Sequence, residues 1–155
     1  MKFTTKNFTN GLKLGFFLLI IPVFLPAQTA GPSLNELEAV LASPALTCAQ
    51  AARFVAASVG SGGTDAFERA LANGWFPRET VSDDPITLGK LSFLVMQAFD
   101  IKGGLLYTIF PSQRYAFRTM VSRSLIQGAT DPAMTVSGQR FLHILGNTLS
   151  LTGGE

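Results

Sequence analysis

Two arginines four residues apart, Arg114 and Arg118, share a face of any helix that contains both. Arg123 follows them, and Tyr107 and Tyr115 stand close by in the sequence. A guanidinium donates through a planar fork, so two or three on one face suit the carboxylates or phosphates of a polymer. The plainer reading of the same arginines is a solvated helix face. Trp75 and Phe76, directly after Gly74, form a second candidate. An exposed aromatic pair stacks on sugars or partner proteins, whereas core packing is the more ordinary use of such residues. Arg114, Arg118, Arg123, Tyr115 and Trp75 are therefore the candidate ligand-binding residues.

Catalytic and metal chemistry is thinly provided. The chain has one His, His143, and one Cys, Cys48. Neither has a second Cys or His beside it, so no zinc spacing exists. A Cys–His nucleophile pair would need a spatial adjacency that the sequence does not express. His143 lies between Leu142 and Ile144 in mid-helix and reads as a partly buried structural side chain. Cys48 reads as a small buried residue, with an intermolecular disulfide as the alternative in an oxidising compartment. No Gly-x-Ser-x-Gly elbow occurs. The acid pairs Asp83-Asp84 and Glu36 with Glu38 fall on a loop and a helix start, where turns and caps account for them. Gly60-Ser61-Gly62-Gly63 lacks the strand before it and the Lys-Ser/Thr after it that a phosphate cradle needs, so it reads as a hinge between helices. No catalytic residue, metal or cofactor is expected.

The N-terminus sets the compartment. Lys2, Lys6 and Lys13 precede an apolar run from Leu14 to Leu25, interrupted only by Gly15 and Pro22. A bilayer core needs roughly 20 apolar residues. This run is too short for that and has the layout of a secretory leader, with Ala27 at the expected cleavage point and Ala30 as the alternative. The reading is a signal peptide over 1–27, a linker over 28–33, a helical domain over 34–150 and a tail over 151–155. Loss of the three lysines takes the twelve Lys and Arg to nine against ten Asp and Glu, a net charge of −1. That balance removes any global case for a nucleic-acid partner. The remaining stretch of about 128 residues suits one domain held by packing, since a single Cys permits no disulfide within the chain.

Helical signals recur along that stretch. Ser33-x-x-Glu36 and Thr47-x-x-Gln50 have capping-box spacing, before amphipathic helices over Leu34 to Ala42 and Leu46 to Val59. Thr64 or Asp65, with Glu68, opens a third helix that ends at Asn73-Gly74. Thr87 caps a helix from Leu88 to Phe99 that is apolar nearly all round and should lie in the core. Leu105 to Phe110 is too short to assign to strand or helix. Pro111-Ser112 starts a helix through about Ile126, and Ser137 caps a last one over Gly138 to Leu149. The expected class is all-α, with no transmembrane span after the leader.

Three segments share one pattern. Each has an apolar residue, then Thr or Ser, then an amphipathic helix: Leu46-Thr47, Ile86-Thr87 and Val136-Ser137. Ala66-Phe67 and Ala116-Phe117 stand at equal distances before Ile86 and Val136, an offset of 50 residues. A helix–loop–helix unit of this kind cannot bury its apolar face alone, so its neighbours must stack against it.

These segments resemble S-layer homology repeats, in which an Ile-Thr-Arg-Ala-Glu segment opens the second helix of each unit. Leu46-Thr47-Cys48-Ala49-Gln50 is similar in type at four positions, Ile86-Thr87 matches at two, and Gly128-Ala129-Thr130-Asp131-Pro132 is similar to the family's Gly-x-x-Asp-Gly turn. The resemblance covers about Leu34 to Leu149. It implies three helical units packed as a small bundle at the cell envelope. In that family the Arg contacts an anionic cell-wall polymer. Cys48, Leu88 and Gly138 stand at its positions here, so that contact does not carry over. The expectation is an exported, non-enzymatic domain attached non-covalently to an envelope polysaccharide. The alternative is a structural or adaptor subunit bound to an envelope protein.

Overall fold

Residues 31–128 and 131–153 are described by the computed structural model. The expected leader and half of the linker, residues 28–30, lie outside them, as do residues 129–130 and 154–155. Seven helices form among the described residues, and no strand: α1 Leu34–Ala42, α2 Cys48–Ser58, α3 Ala66–Ala72, α4 Leu88–Ala98, α5 Leu105–Ile109, α6 Gln113–Ser122 and α7 Gly138–Thr152. The domain is an all-α bundle. None of these helices is long and apolar enough to cross a membrane.

Five helices begin the way their sequences predict or nearly so. The hydroxyls of Ser33, Thr47, Thr87, Ser112 and Ser137 each accept from the backbone N–H three residues on, at 3.2–3.5 Å. Each bond satisfies one donor that the helix leaves open. In α1 and α2 the box closes, because Glu36 and Gln50 accept in return from Ser33 N and Thr47 N. In α4 and α7 that third position holds Lys90 and Arg140, which can only donate, so no box forms. The box expected at α3 is also missing. Asp65 is its N-cap but makes no side-chain cap bond, and its carboxylate instead meets Arg69 at 3.1 Å. Arg69 also donates to the carbonyls of Ser61 and Gly62 at 2.6 and 2.8 Å, which fastens the glycine loop to α3.

Four helices end alike. Gly60, Gly74, Asp100 and Ser124 have positive φ, at 73, 71, 49 and 59°. The next residue in each case donates back across the turn: Ser61 to Ala56, Trp75 to Ala70, Ile101 to Met96 and Leu125 to Met120, at 2.7–3.0 Å. This is the Schellman closure of α2, α3, α4 and α6. It ends α6 at Ser122 rather than near Ile126, so Arg123 is the C-cap and lies beyond the helical face that holds Arg114 and Arg118. The short apolar segment resolves as helix, and α7 runs to Thr152, two residues into the expected tail.

The three apolar-Ser/Thr segments meet at the centre. Leu46 N donates to Val136 O, Val136 N to Ile86 O, and Ile86 N to Leu46 O, at 2.8, 3.0 and 2.8 Å. The hydrogen bonds therefore form a closed ring of three, and all three side chains are fully buried. Buried amides and carbonyls need partners, and among the described residues no sheet supplies them. Outside the ring, Cys48 N donates to Asp84 O at 2.9 Å and Leu88 N to Met134 O at 2.8 Å. The third joint is shifted by one residue, with Gly138 N donating to Ser43 O at 3.0 Å.

The helices pack around this ring. α4 lies between α6 and α2, α3 packs on α2, α1 on α7, and α5 on α6. Leu88, Leu91, Leu94, Val95 and Met96 of α4 are buried, which makes it the core helix its composition predicts. Cys48 is buried, and desolvation raises its thiol pKa, as befits an inert packing residue. His143 departs from expectation and is exposed. The buried face of α7 is Phe141, Ile144, Leu145 and Thr148, and His143 falls off that stripe.

Candidate functional site

α6 is strongly amphipathic. Ala116, Phe117 and Met120 are buried against α4, and Arg114 and Arg118 project into solvent. The pair is separated by one turn, as the spacing predicts. Among the described residues neither guanidinium has a hydrogen-bond or ion-pair partner. Both line an open groove of about 740 Å³ between the start of α4, α6 and the turn before Val136. Its floor is apolar, from Phe117, Pro132 and Ala133, and Lys90 adds a third cation at the α4 end. Lys90 leans towards Asp84 at 3.9 Å, a loose pairing at this surface. No carboxylate lines the groove.

Gly89 sets the groove's width. Its N–H donates to Pro132 O at 2.8 Å, and a Cβ there would stand 3.2 Å from that carbonyl oxygen. The absent side chain therefore lets the turn lie directly on the first turn of α4. Two further depressions adjoin the same helix face. Arg114 also borders one that holds Phe76, Arg78 and Phe93, and Arg118 borders one shared with Leu105, Tyr115 and Arg123. None of the three is lined by an acid. Glu36 is taken up by Arg53, whose Nε and Nη2 stand 2.8 and 3.1 Å from its two carboxylate oxygens.

The candidate residues thus divide. Arg114 and Arg118 come together in one groove. Tyr115 is half-buried and shares a depression with Arg118 and Arg123. Arg123 is exposed but committed, donating to Lys102 O at 2.6 Å. Trp75 stands apart from all three depressions. It is the residue after the left-handed glycine that closes α3, and it packs half-buried against the core. Its neighbour Phe76 is buried, with its ring 5.6 Å from that of Phe67.

Lys90, Phe117 and Pro132 belong to the groove and were not singled out from sequence. Only Lys90 carried a local signal: a donor-only residue where a capping box needs an acceptor. The three positions where S-layer homology repeats carry Arg are closed to a ligand. Cys48 and Leu88 are fully buried, and a Cβ on Gly138 would fall on the Val40 carbonyl oxygen. Among the described residues no three His, Cys, Asp or Glu side chains gather into a metal site. No protein-family model, curated protein or solved structure matches the chain.

Proposed function

We propose that this protein is an exported, non-catalytic cell-envelope domain that holds an anionic envelope polymer in the groove between α4 and α6. The observation that carries the reading is the cluster of Lys90, Arg114 and Arg118 over an apolar floor, with no acid lining it and no partner for either arginine. A strand of acidic polysaccharide offers what such a groove lacks. Its phosphates or carboxylates accept from guanidinium forks, and its ring faces lie on Phe117 and Pro132.

The architecture is the second support. Three capped segments joined head to tail in a backbone ring agree with a reading as three stacked units similar to S-layer homology repeats. The correspondence at an offset of 50 reaches further than the two Ala-Phe pairs, since Gly74, Trp75 and Phe76 pair with Ser124, Leu125 and Ile126. The leader read over residues 1–27 supplies the export. The proposed binding cations lie in the first turn of α4 (Lys90) and on the outer face of α6 (Arg114 and Arg118), not at the positions matched to the family's Arg.

Co-sedimentation of the protein with purified envelope polymer tests the reading. The wild type is expected to pellet with the polymer, less so as salt rises. Arg114→Gln/Arg118→Gln removes two charge-assisted donors and should weaken binding by about tenfold or more. Equal pelleting of wild type and double variant would end the proposal.

A further inference from the structure

α5 turns its apolar side chains the wrong way for a protein in water. Gly103 and Gly104 lead into it, and it is five residues long. One side chain, Tyr107, holds it down. That ring is buried, packs edge-on against Phe93 at 6.5 Å, and its Oη accepts from Gln97 Nε2 at 2.8 Å. The others face out. Leu105, Leu106, Ile109 and Phe110 are 76, 50, 54 and 63 % exposed. Four large apolar side chains within six residues form a patch, which a solitary exposed leucine would not.

The surroundings of this knob are cationic. Arg118 and Arg123 line the same depression as Leu105 and Leu106. Lys102 lies just before the knob and Arg114 just after it, both exposed. The nearby acid, Asp100, is already held by Lys102 at 2.7 Å. From this arrangement we infer that α5 is a membrane-surface anchor that inserts Leu105, Leu106, Ile109 and Phe110 into the acyl boundary of an anionic phospholipid bilayer while Arg118, Arg123 and Lys102 stay at phosphate level.

The charge pattern selects this occupant. A protein-binding knob is rimmed by mixed polar groups that find specific partners. Here the basic side chains outnumber the single acid, Asp100, which Lys102 already pairs, and their long stems can snorkel upward as the apolar tips descend. A short amphipathic element of this kind lies in the interface and does not span. This inference does not rest on the polymer reading, because its apolar contacts come from α5, outside the α4–α6 groove.

A tryptophan placed at the tip reports insertion locally, whatever the N-terminal apolar segment does. The full chain carrying Trp75→Phe and Phe110→Trp is mixed with vesicles of phosphatidylglycerol and phosphatidylcholine, or of phosphatidylcholine alone, each with acyl chains brominated at a known depth. A blue shift with bromine quenching in the anionic vesicles only is the expected result. Arg123→Gln in that background should lower vesicle affinity about fivefold. Ile109→Ser should lower it about tenfold and leave polymer co-sedimentation unchanged. Emission that stays put with both vesicles overturns the inference and leaves the knob to a protein partner. Equal insertion into neutral vesicles overturns it too, since the cations would then play no part.

Discussion

The α1–α7 seam and the α4–α6 groove grow from one local design and end as opposites. In each, a Ser or Thr cap follows a buried apolar residue, and a buried glycine occupies the first helical turn. At α7 that glycine is Gly138. Its amide donates to Ser43 O, and the Val40 carbonyl fills the space a Cβ would need. At α4 it is Gly89, and the nearest atom to a Cβ is Pro132 O at 3.2 Å. The charges diverge as well. On the first side Glu36 neutralises Arg53. On the second, Arg114 and Arg118 face solvent with no partner among the described residues. A capped helix start therefore makes a seal where backbone meets backbone, and an open surface where a turn stands just off it. Placement of the acids then decides which of the two can receive an anion.

The glycines give the largest expected effect. Gly138→Ala cannot be absorbed by rotating a side chain, because the clash is with backbone. It should cost about 4 kcal/mol or more, the range of a disrupted core. Gly89→Ala meets one carbonyl at a distance that a few tenths of an ångström relieve. That strain opposes a gain of about 1 kcal/mol in helix propensity, so the net change should stay within about 1 kcal/mol. Urea midpoints of the two variants measure the difference. Similar midpoints would show that the seam is no tighter than the groove.

Most of the frame was legible, because caps are local chemistry. Ser33, Thr47, Thr87 and Ser137 announce four helix starts, since a hydroxyl before an apolar period satisfies a donor that every helix leaves open. Helix ends were harder. Gly60 and Gly74 mark theirs, but Asp100 and Ser124 adopt the same left-handed conformation without a glycine to advertise it. That is why α6 seemed to continue to Ile126 and to carry Arg123. His143 was misplaced by its neighbours, when residues three and four apart, not adjacent ones, define a helical face. In the groove, the arginine pair was visible from its spacing. Lys90 and Pro132 reach it only through α4 and the turn that lies on it, and no local pattern encodes that approach.

Glu36 tests whether the sealed side owes its closure to charge. Its carboxylate accepts from Ser33 N at 2.7 Å and pairs with Arg53, so its pKa falls below the ordinary 4.5, chiefly through the backbone bond. A carboxylate favoured in the folded state lends stability above its unfolded pKa. That contribution drains as pH falls through the lower, folded value. Thermal midpoints should therefore fall as the solution is acidified below about 4.5. Part of that fall should be missing in Glu36→Gln, which already lacks the charge at neutral pH. Parallel pH profiles for the two proteins would show that Glu36 adds nothing to the hold of α1 on α2.

The smallest effect is the most telling for the groove. Arg114 occupies the first turn of α6, where the helix dipole disfavours a cation by about 0.3–1 kcal/mol. Arg118, one turn on, adds like-charge repulsion of about 0.2–0.5 kcal/mol. With no partner to offset either term, Arg114 is held at some cost to the free protein, and a bound polyanion would relieve both. Arg114→Gln should then raise the thermal midpoint by roughly 2 °C in low salt, and the gain should fade as salt screens the charges. Added polyphosphate should stabilise the wild type more than the variant, reversing their order. If Arg114→Gln instead lowers the midpoint without ligand, the guanidinium already has a stabilising contact, and the groove is a surface at rest, with nothing to gain from an anion.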